Sequence, residues 1–273
     1  MNQRNLRARL LSAPYLLWAA IFVIAPIGMV LYYAFTDKTG AFTFDNILSL
    51  SAYGSAFGRS VGYAAVATFF CLLIAYPLAY IMYRSSASTQ KLLMMLCMVP
   101  MWMNFLIRTY SWIAILSKTG ILNQIFEKFG LGPFHFINTP GAVILGMVYN
   151  FLPYMILPIY SVMSKLNYNL IEAAQDLGSN GLQCLWHVVL PITLPGVISG
   201  ITMVFVPSVS TFYISQKLGG GKFFLIGDSI EMQFQSAYNY NLGAALSLVL
   251  MVMIVICMVV VNHFSDEEEA IIP

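Results

Sequence analysis

One polar stretch of the chain, between two long apolar runs, carries chemically distinctive residues at regular spacing. It holds a Glu-Ala-Ala triplet, an aspartate, a glycine and, further on, a Leu-Pro pair. Apolar residues recur at helical spacing on both sides of the glycine, which predicts two short amphipathic helices joined by a turn over residues 169–191. Such a hairpin carries no acid–base or metal chemistry and needs something to pack against. The residues concerned are Glu172, Ala173, Ala174, Asp176, Gly178, Leu190 and Pro191.

The ends of the two predicted helices carry capping residues. Asn169 and Glu172 have the spacing of a capping box, with asparagine in place of serine or threonine. Gly178 suits the left-handed residue that ends a helix, and Asn180 could cap the second helix. The prolines at 191 and 195 are expected where the chain returns to the membrane.

What the hairpin packs against is open from the residues alone. Its apolar faces could cover the chain's own helix ends or the lipid headgroups, or they could dock on another protein. The apolar face of the first helix is predicted to comprise Leu170, Ala173, Ala174 and Leu177, and that of the second Leu182, Leu185, Trp186 and Val189.

The chain offers little for enzymatic chemistry. Its four cysteines form no C-x-x-C pair and its three histidines lie far apart, so no disulfide framework or metal site is indicated. A P-loop needs G-x-x-x-x-G-K followed by serine or threonine, whereas the one Gly-Lys pair, Gly221-Lys222, precedes Phe223. The net charge is +2 and the basic residues are scattered, which excludes a basic stripe for nucleic acid. We therefore expect no catalytic residue, metal or cofactor on this chain.

The elements that must position these residues are membrane helices. Of 273 residues, 59% are hydrophobic and only 9% charged, whereas soluble domains carry about a quarter charged residues. About 20 apolar residues cross the hydrocarbon core, where helix satisfies the backbone. The sequence predicts an all-α membrane protein with one transmembrane domain over residues 1–273. The six predicted spans are about 13–35, 61–83, 92–117, 141–163, 192–215 and 242–264.

Charge near the ends of the chain predicts that both termini are cytoplasmic. Arg4, Arg7 and Arg9 precede the first span, which favours a cytoplasmic amino terminus. Six spans then return the acidic residues at 266–269 to the same side. Over all loops the basic residues divide equally, so the prediction depends on the amino-terminal cluster and on the short loop 84–91. The hairpin 169–191 then faces the cytoplasm.

Arg108 is predicted inside the third span. A charge near the bilayer centre costs on the order of 3 kcal/mol on insertion scales, so its side chain should face the helix bundle or reach outward. Its neighbours Trp102, Asn104 and Tyr110 could make polar contacts between helices.

The hairpin resembles the signature loop of the permeases of ATP-binding-cassette (ABC) importers. That loop reads E-A-A, three residues, G, nine residues, I-x-L-P, and this chain matches it from Glu172 to Pro191 with Val188 in place of isoleucine. The resemblance implies the type I ABC importer permease fold, with six spans and cytoplasmic coupling helices that dock on an ATPase subunit. It implies two ATP-binding subunits that hold ATP and magnesium, a second homologous permease that forms a heterodimer with this chain, and an extracytoplasmic solute-binding protein.

A narrower resemblance, to the B-type permeases of the spermidine/putrescine family, extends over nearly the whole chain. Residues 99–110, 152–160, 212–215 and 218–222 resemble motifs of that family. Gln216 is a departure, because the family often has an acidic residue there. The resemblance implies a plasma-membrane importer of polyamines in which no covalent chemistry occurs on this chain.

For a flexible polycation, aromatic faces and carboxylates are suitable contacts. Phe212 and Tyr213, near the outer end of the fifth span, resemble the family's aromatic gate, with aromatic packing at the membrane interface as the alternative. Asp228 and Glu231 are predicted in the outer loop before the sixth span, where they could meet the solute or its delivery protein, or be solvated loop charges. Repulsion from a cation favours a structural or partner-subunit role for Arg108.

Two other interpretations remain open. An ABC permease could carry a different solute, such as another small amine, an amino-acid derivative or an organic acid. A secondary transporter would need no ATPase but would predict acidic residues within the spans as ion-coupling sites, and none falls within the six predicted spans.

Overall fold

The computed structural model describes residues 14–269, with side chains described as far as residue 261. Arg4, Arg7 and Arg9 and the acidic side chains at 266–269, on which the predicted orientation depends, lie outside the described residues. Between residues 14 and 269 the chain is mostly helical, and the β-bridge between Thr36 and Phe42 is isolated.

The helices are long where the chain is apolar and short where it is polar. Ser49–Tyr53 is a 3-10 turn, and Leu185–Val189 is a π-helical segment. In chain order the helices are α1 (Pro14–Ala34), α2 (Asp45–Leu48), α3 (Gly54–Arg84), α4 (Ala87–Trp102), α5 (Phe105–Leu116), α6 (Ile121–Lys128), α7 (Pro140–Met163), α8 (Tyr168–Asp176), α9 (Gly181–Cys184), α10 (Leu190–Ser210), α11 (Tyr213–Gly219), α12 (Ile226–Gln235) and α13 (Tyr240–Glu269).

Five stretches of the described chain are long and apolar enough to cross a membrane as continuous helices, and a sixth crossing is possible as a bent pair. The bent pair is Ala87–Trp102 with Phe105–Lys128, inclined by 94°. The continuous stretches are Pro14–Ala34, Asp45–Arg84, Pro140–Met163, Gly181–Ser210 and Tyr240–Val261.

The third predicted span, 92–117, is wrong as a single helix, because the chain breaks between α4 and α5. Pro100 has no N–H and removes a helical hydrogen bond from the last turn of α4. Met103 is extended, and the Leu106 N–H donates to Asn104 Oδ1 at 2.8 Å, which starts a new helix. The side chain of Asn104 therefore serves as a local cap.

The fifth predicted span, 192–215, also has different limits. The helix runs without interruption from Gly181 to Ser210, and Thr211 and Phe212 then separate it from α11. A Cβ on Gly227 would lie 2.6 Å from the Ser210 carbonyl oxygen and 2.7 Å from that of Thr211. The backbone at residue 227 is thus packed directly against the end of α10, where the helix stops.

The described chain forms two compact units. The first contains the chain up to Ser55 together with Ser229–Met253. In this unit, Asn241 Nδ2 at the start of α13 donates to the Thr36 carbonyl oxygen at 2.6 Å. Its small buried core consists of Ala34, Ala244, Ala245 and Leu248.

The second unit, Ala56–Asp228 with the chain from Ile254, holds the larger core. Its main contact is that of α10 along α7. Gly196 and Gly200 of α10 permit a close approach, since a Cβ on Gly196 would lie 2.9 Å from the Pro158 carbonyl oxygen. At Gly146 of α7 the missing side chain leaves room for Leu218 of α11. Small residues at such crossings are typical of membrane helices.

We expect the Gly196→Ala variant to be less stable than the native chain. The added methyl group must displace the Pro158 backbone by a few tenths of an ångström, and overpacking of this kind costs about 1–3 kcal/mol. Gly62→Ala is the matched control, because no atom lies within 4 Å of that Cβ position and the gain in helix propensity is the same. The thermal unfolding midpoint in detergent should fall only for Gly196→Ala. Equal midpoints would contradict the α7–α10 packing.

Candidate functional site

The first helix of the hairpin, α8, starts earlier than predicted. Asn167 is its N-cap, and the Asn169 N–H donates to Asn167 Oδ1 at 3.1 Å. The predicted capping box of Asn169 and Glu172 is therefore wrong, since Asn169 lies inside the helix. Asn167 takes the capping role because its side chain reaches the N–H two residues further on.

The turn between the two hairpin helices depends on Gly178. This residue has φ = +88°, in the left-handed region. The Gly178 N–H donates to the Gln175 carbonyl at 2.9 Å and the Ser179 N–H to the Ala174 carbonyl at 3.0 Å, which is the Schellman pattern. Asn180 then caps α9 in a full capping box with Gln183, so the capping role predicted for Asn180 is confirmed.

One face of the hairpin packs into the core of the second unit, to which the hairpin belongs. Ile171, Cys184 and Val189 are buried in its core. Beside them, the Tyr83 hydroxyl donates to the Leu166 carbonyl oxygen at 3.4 Å, and the Arg84 guanidinium lies 5.8 Å from the centre of the Tyr168 ring. The hairpin is thus attached to the end of α3 and to the chain that follows α7.

The opposite face of the hairpin is exposed and partly apolar. Leu177 is 89% exposed. Leu170, Leu182 and Trp186 are also exposed, and Glu172, Ala173 and Asp176 share this exposure. The predicted apolar faces are therefore divided. Ala174, Leu185 and Val189 pack on the chain itself, while Leu170, Ala173, Leu177, Leu182 and Trp186 are left uncovered.

The second half of the hairpin is continuous with a membrane helix. Leu190 and Pro191 lie in the first turn of α10, and the helix passes through them from Gly181 to Ser210. The prolines at 191 and 195 therefore lie inside one continuous helix. Pro191 directly follows the π-helical segment Leu185–Val189 within this continuous helix. A displacement of the hairpin can thus be transmitted directly along α10.

Aromatic rings and a lysine meet between α5 and α11. The Lys217 ammonium nitrogen lies 5.7 Å from the ring centres of both Tyr110 and Tyr213. The Phe105 and Tyr213 rings are 5.8 Å apart. Phe212 is exposed in the break before α11, and Tyr213 is half-buried. These rings form a surface that holds a primary ammonium group.

The prediction that Asp228 and Glu231 lie in an outer loop is wrong, because both residues lie in helix α12. Asp228 is only 2% exposed, and its carboxylate accepts hydrogen bonds from the Ser215 hydroxyl at 2.9 Å and the Leu225 N–H at 2.8 Å. A carboxylate is favourable in the first turn of a helix, where N–H groups are unpaired. Asp228 thus ties the first turn of α12, within the second unit, to α11 and is not a solvated charge. Glu231 is partly exposed.

Arg108 lies in the first turn of α5 and is buried, as the cost of an exposed charge in lipid led us to expect. Its guanidinium lies 5.9 Å from the centre of the Phe105 ring. Of its neighbours, Trp102 is 78% exposed, and the Asn104 side chain caps its own helix. Tyr110 makes a contact between helices, to Lys217.

A comparison with protein families matches residues 72–266 to the "binding-protein-dependent transport system inner membrane component" family. The chain belongs to this family. It is therefore a multi-pass membrane permease, a component of a binding-protein-dependent transport system.

Individual relatives of the permease are similar over most of their length. It is 38% identical to the spermidine/putrescine transport system permease protein PotB of Haemophilus influenzae, over 85% of this chain and 84% of that protein. It is 36% identical to PotB of Escherichia coli strain K12, over 89% and 92% of the two chains.

Solved structures show that the permease has the ABC importer fold. It superimposes on a chain of a bacterial ABC transporter involved in the import of the acidic polysaccharide alginate, with a TM-score of 0.79 over 97% of this chain and 96% of that one. Sequence identity is 18%, so this likeness concerns the fold alone. A chain of the MetNI methionine ABC transporter matches over 80% of the permease with a TM-score of 0.54.

Two residues of the candidate site were missed in the sequence. Lys217 follows Tyr213 by four residues, a spacing that places two side chains on one helix face, so the pair could have been found from the helical period. Ser215, which donates to Asp228, carries no such signal, because its partner lies on another helix.

Proposed function

We propose that this permease forms half of the pathway of an ATP-driven polyamine importer, as the partner of a second, related permease. The exposed face of the hairpin carries the proposal. Leu170, Leu177, Leu182 and Trp186 are all exposed on it, and an uncovered apolar surface of this kind marks a site of interaction. We assign that partner as the ATPase, one copy for each permease. ATP and magnesium then belong to the ATPase chains, because this sequence holds no P-loop.

The proposed orientation places the hairpin and both termini in the cytoplasm of a cell with this protein in its plasma membrane. The basic cluster at the amino terminus supports it, as does the match of residues 172–191 to a loop that ATPases bind from the cytoplasm. ATP-driven closure of the ATPases would push on the hairpin, and α10, which continues from it, would carry the movement into the membrane.

The solute class is proposed from two observations. The relatives at 36–38% identity are named as spermidine/putrescine permeases. Independently, Phe212 and Tyr213 at the break before α11 offer aromatic rings, whose faces bind ammonium groups of the kind that polyamines carry. In the proposed pathway Phe212 and Tyr213 form the gate, and Asp228 supports it by accepting the hydrogen bond of Ser215 in α11.

The test of this function is uptake into proteoliposomes that contain the permease, its partner permease and the ATPase, with the binding protein added outside. Labelled spermidine should accumulate only when ATP is enclosed with the ATPase, and unlabelled putrescine should compete. Competition by amino acids or organic acids, but not by polyamines, would assign another solute to the same importer. Accumulation without ATP would point to a secondary transporter and would overturn the proposal.

We expect Tyr213→Leu to weaken transport of the cation. Loss of a ring face for an ammonium group removes about 0.5–2 kcal/mol, so the KM for spermidine should rise roughly 2- to 30-fold. Tyr15→Leu is the matched control, since Tyr15 is an exposed tyrosine of α1 outside this cluster. An unchanged KM for Tyr213→Leu would remove Tyr213 from the pathway.

A further inference from the structure

The rings of Tyr110 and Tyr213 already hold a cation that belongs to this chain. The ammonium nitrogen of Lys217 lies 5.7 Å from the centres of both rings. This distance is within the roughly 6 Å at which a ring face attracts an ammonium group. Tyr110 belongs to α5 and Tyr213 to α11, so a single charge occupies rings of two helices.

The rings are what these two helices offer to a positive charge. Neither α5 nor α11 contains an aspartate or a glutamate. The rings are also open to a solute, since Tyr110 is 52% exposed and both Tyr213 and Lys217 are partly exposed. An ammonium group from outside the chain would approach the same ring faces, where the charge of Lys217 would repel it.

We propose that Lys217 is a tethered occupant of these rings and competes there with the ammonium groups of the solute. The proposal rests on the proposed function, in which the solute is a polyamine and Tyr213 belongs to the gate. A tethered group stays at high local concentration whatever the concentration of the solute. The solute therefore finds the rings free only in the fraction of molecules in which Lys217 has left them, and its apparent affinity falls by that fraction.

Self-occupancy of this kind suits a transport pathway. A solute must bind well enough to enter and weakly enough to leave. When the solute departs, Lys217 returns to the rings, which makes release easier and keeps the ring faces that attract the next solute. Lys217 follows Tyr213 by four residues and lies on the same face of α11, so the return needs no change of the backbone.

The test is the dissociation constant of labelled spermidine for the purified complex of both permeases and the ATPase, without the binding protein. A ring contact favours the occupied state by about 2- to 30-fold, so Lys217→Gln should bind spermidine about 3- to 30-fold more tightly than the native complex. Lys217→Arg keeps a cation that stacks on rings and should bind less tightly than Lys217→Gln. An equal or weaker affinity of Lys217→Gln, or no measurable binding by either complex, would overturn the proposal. Because the expected change is a gain, a misfolded variant cannot produce it.

Lys222→Gln separates competition at the rings from general repulsion of the solute. Lys222 is exposed and lies beyond the end of α11. Its replacement removes the same charge as Lys217→Gln but should leave the affinity for spermidine unchanged. A gain equal to that of Lys217→Gln would assign the effect to net charge and contradict competition.

A double-mutant cycle with Tyr213→Leu tests the shared ring directly. In the native background this substitution takes a ring from the solute and also from its competitor, so the two effects partly cancel. In the Lys217→Gln background only the solute loses the ring, and the affinity should fall further. Equal falls in the two backgrounds would exclude competition for Tyr213. Spermidine uptake by the native importer reports on the proposed function separately, so uptake combined with equal falls would overturn this inference alone.

Discussion

Replacing Gly178 by valine should reduce ATP-dependent uptake about tenfold or more, while the amount of permease in the membrane stays the same. Gly178 has φ = +88°, and no atom lies within 4 Å of the position that a Cβ would take. The penalty is therefore one of backbone conformation, not of packing. It amounts to about 1–2 kcal/mol for an ordinary residue and more for a β-branched one. The Schellman hydrogen bonds that orient the hairpin should be lost, and coupling with them.

The glycine series has its own controls. Asparagine tolerates the left-handed region better than other residues, so Gly178→Asn should retain more uptake than Gly178→Ala, and alanine more than valine. Gly181→Ala should leave uptake unchanged, because Gly181 lies in a helical first turn with open space around it. Uptake at the native rate by Gly178→Val would show that the turn plays no part in coupling.

Replacing Leu177 by lysine should prevent the ATPase from binding. Leu177 is 89% exposed and makes no contribution to the buried core, so the substitution should not destabilise the chain. A cation at the end of α8 is even favourable to the helix dipole. In the complex, however, the lysine would lose the apolar contact and bring a charge into the interface. Anchors of this kind contribute about 2 kcal/mol or more.

The measurement is the amount of ATPase that co-purifies with the tagged permease. We expect a decrease of roughly 30-fold, which corresponds to 2 kcal/mol. Leu48→Lys is the matched control, since Leu48 is 71% exposed at the end of α2 and lies outside the hairpin. If both variants bind the ATPase as the native chain does, another surface must form the docking site.

The hairpin was accessible to sequence analysis because its signals are local. Gly178 and Asn180 act on hydrogen bonds within a few residues, and both take the conformations that their types favour. The capping role was wrongly predicted for Asn169 because Asn167 and Asn169 are both good N-cap residues, and spacing alone does not choose between them. Which faces of the hairpin are buried depends on residues distant in the sequence. The pattern of apolar residues therefore could not predict that Ile171 is buried and Leu177 exposed.

The broken third span shows a limit of hydropathy. The apolar run from 92 to 117 is long enough for a helix, and Pro100 is no stronger a warning than Pro77 or Pro153, which lie inside unbroken helices. The break becomes visible only when the Asn104 cap is seen in place. Likewise, the burial of Asp228 depends on Ser215 from another helix, which no local rule predicts.

The most direct test of coupling through the hairpin is site-specific photo-crosslinking from position 177 in membranes that contain the whole importer. A photo-reactive phenylalanine analogue at this position should form a covalent adduct with the ATPase subunit, because the side chain at 177 points away from its own chain. Adducts only with lipid, with this chain or with the extracytoplasmic binding protein would contradict the account.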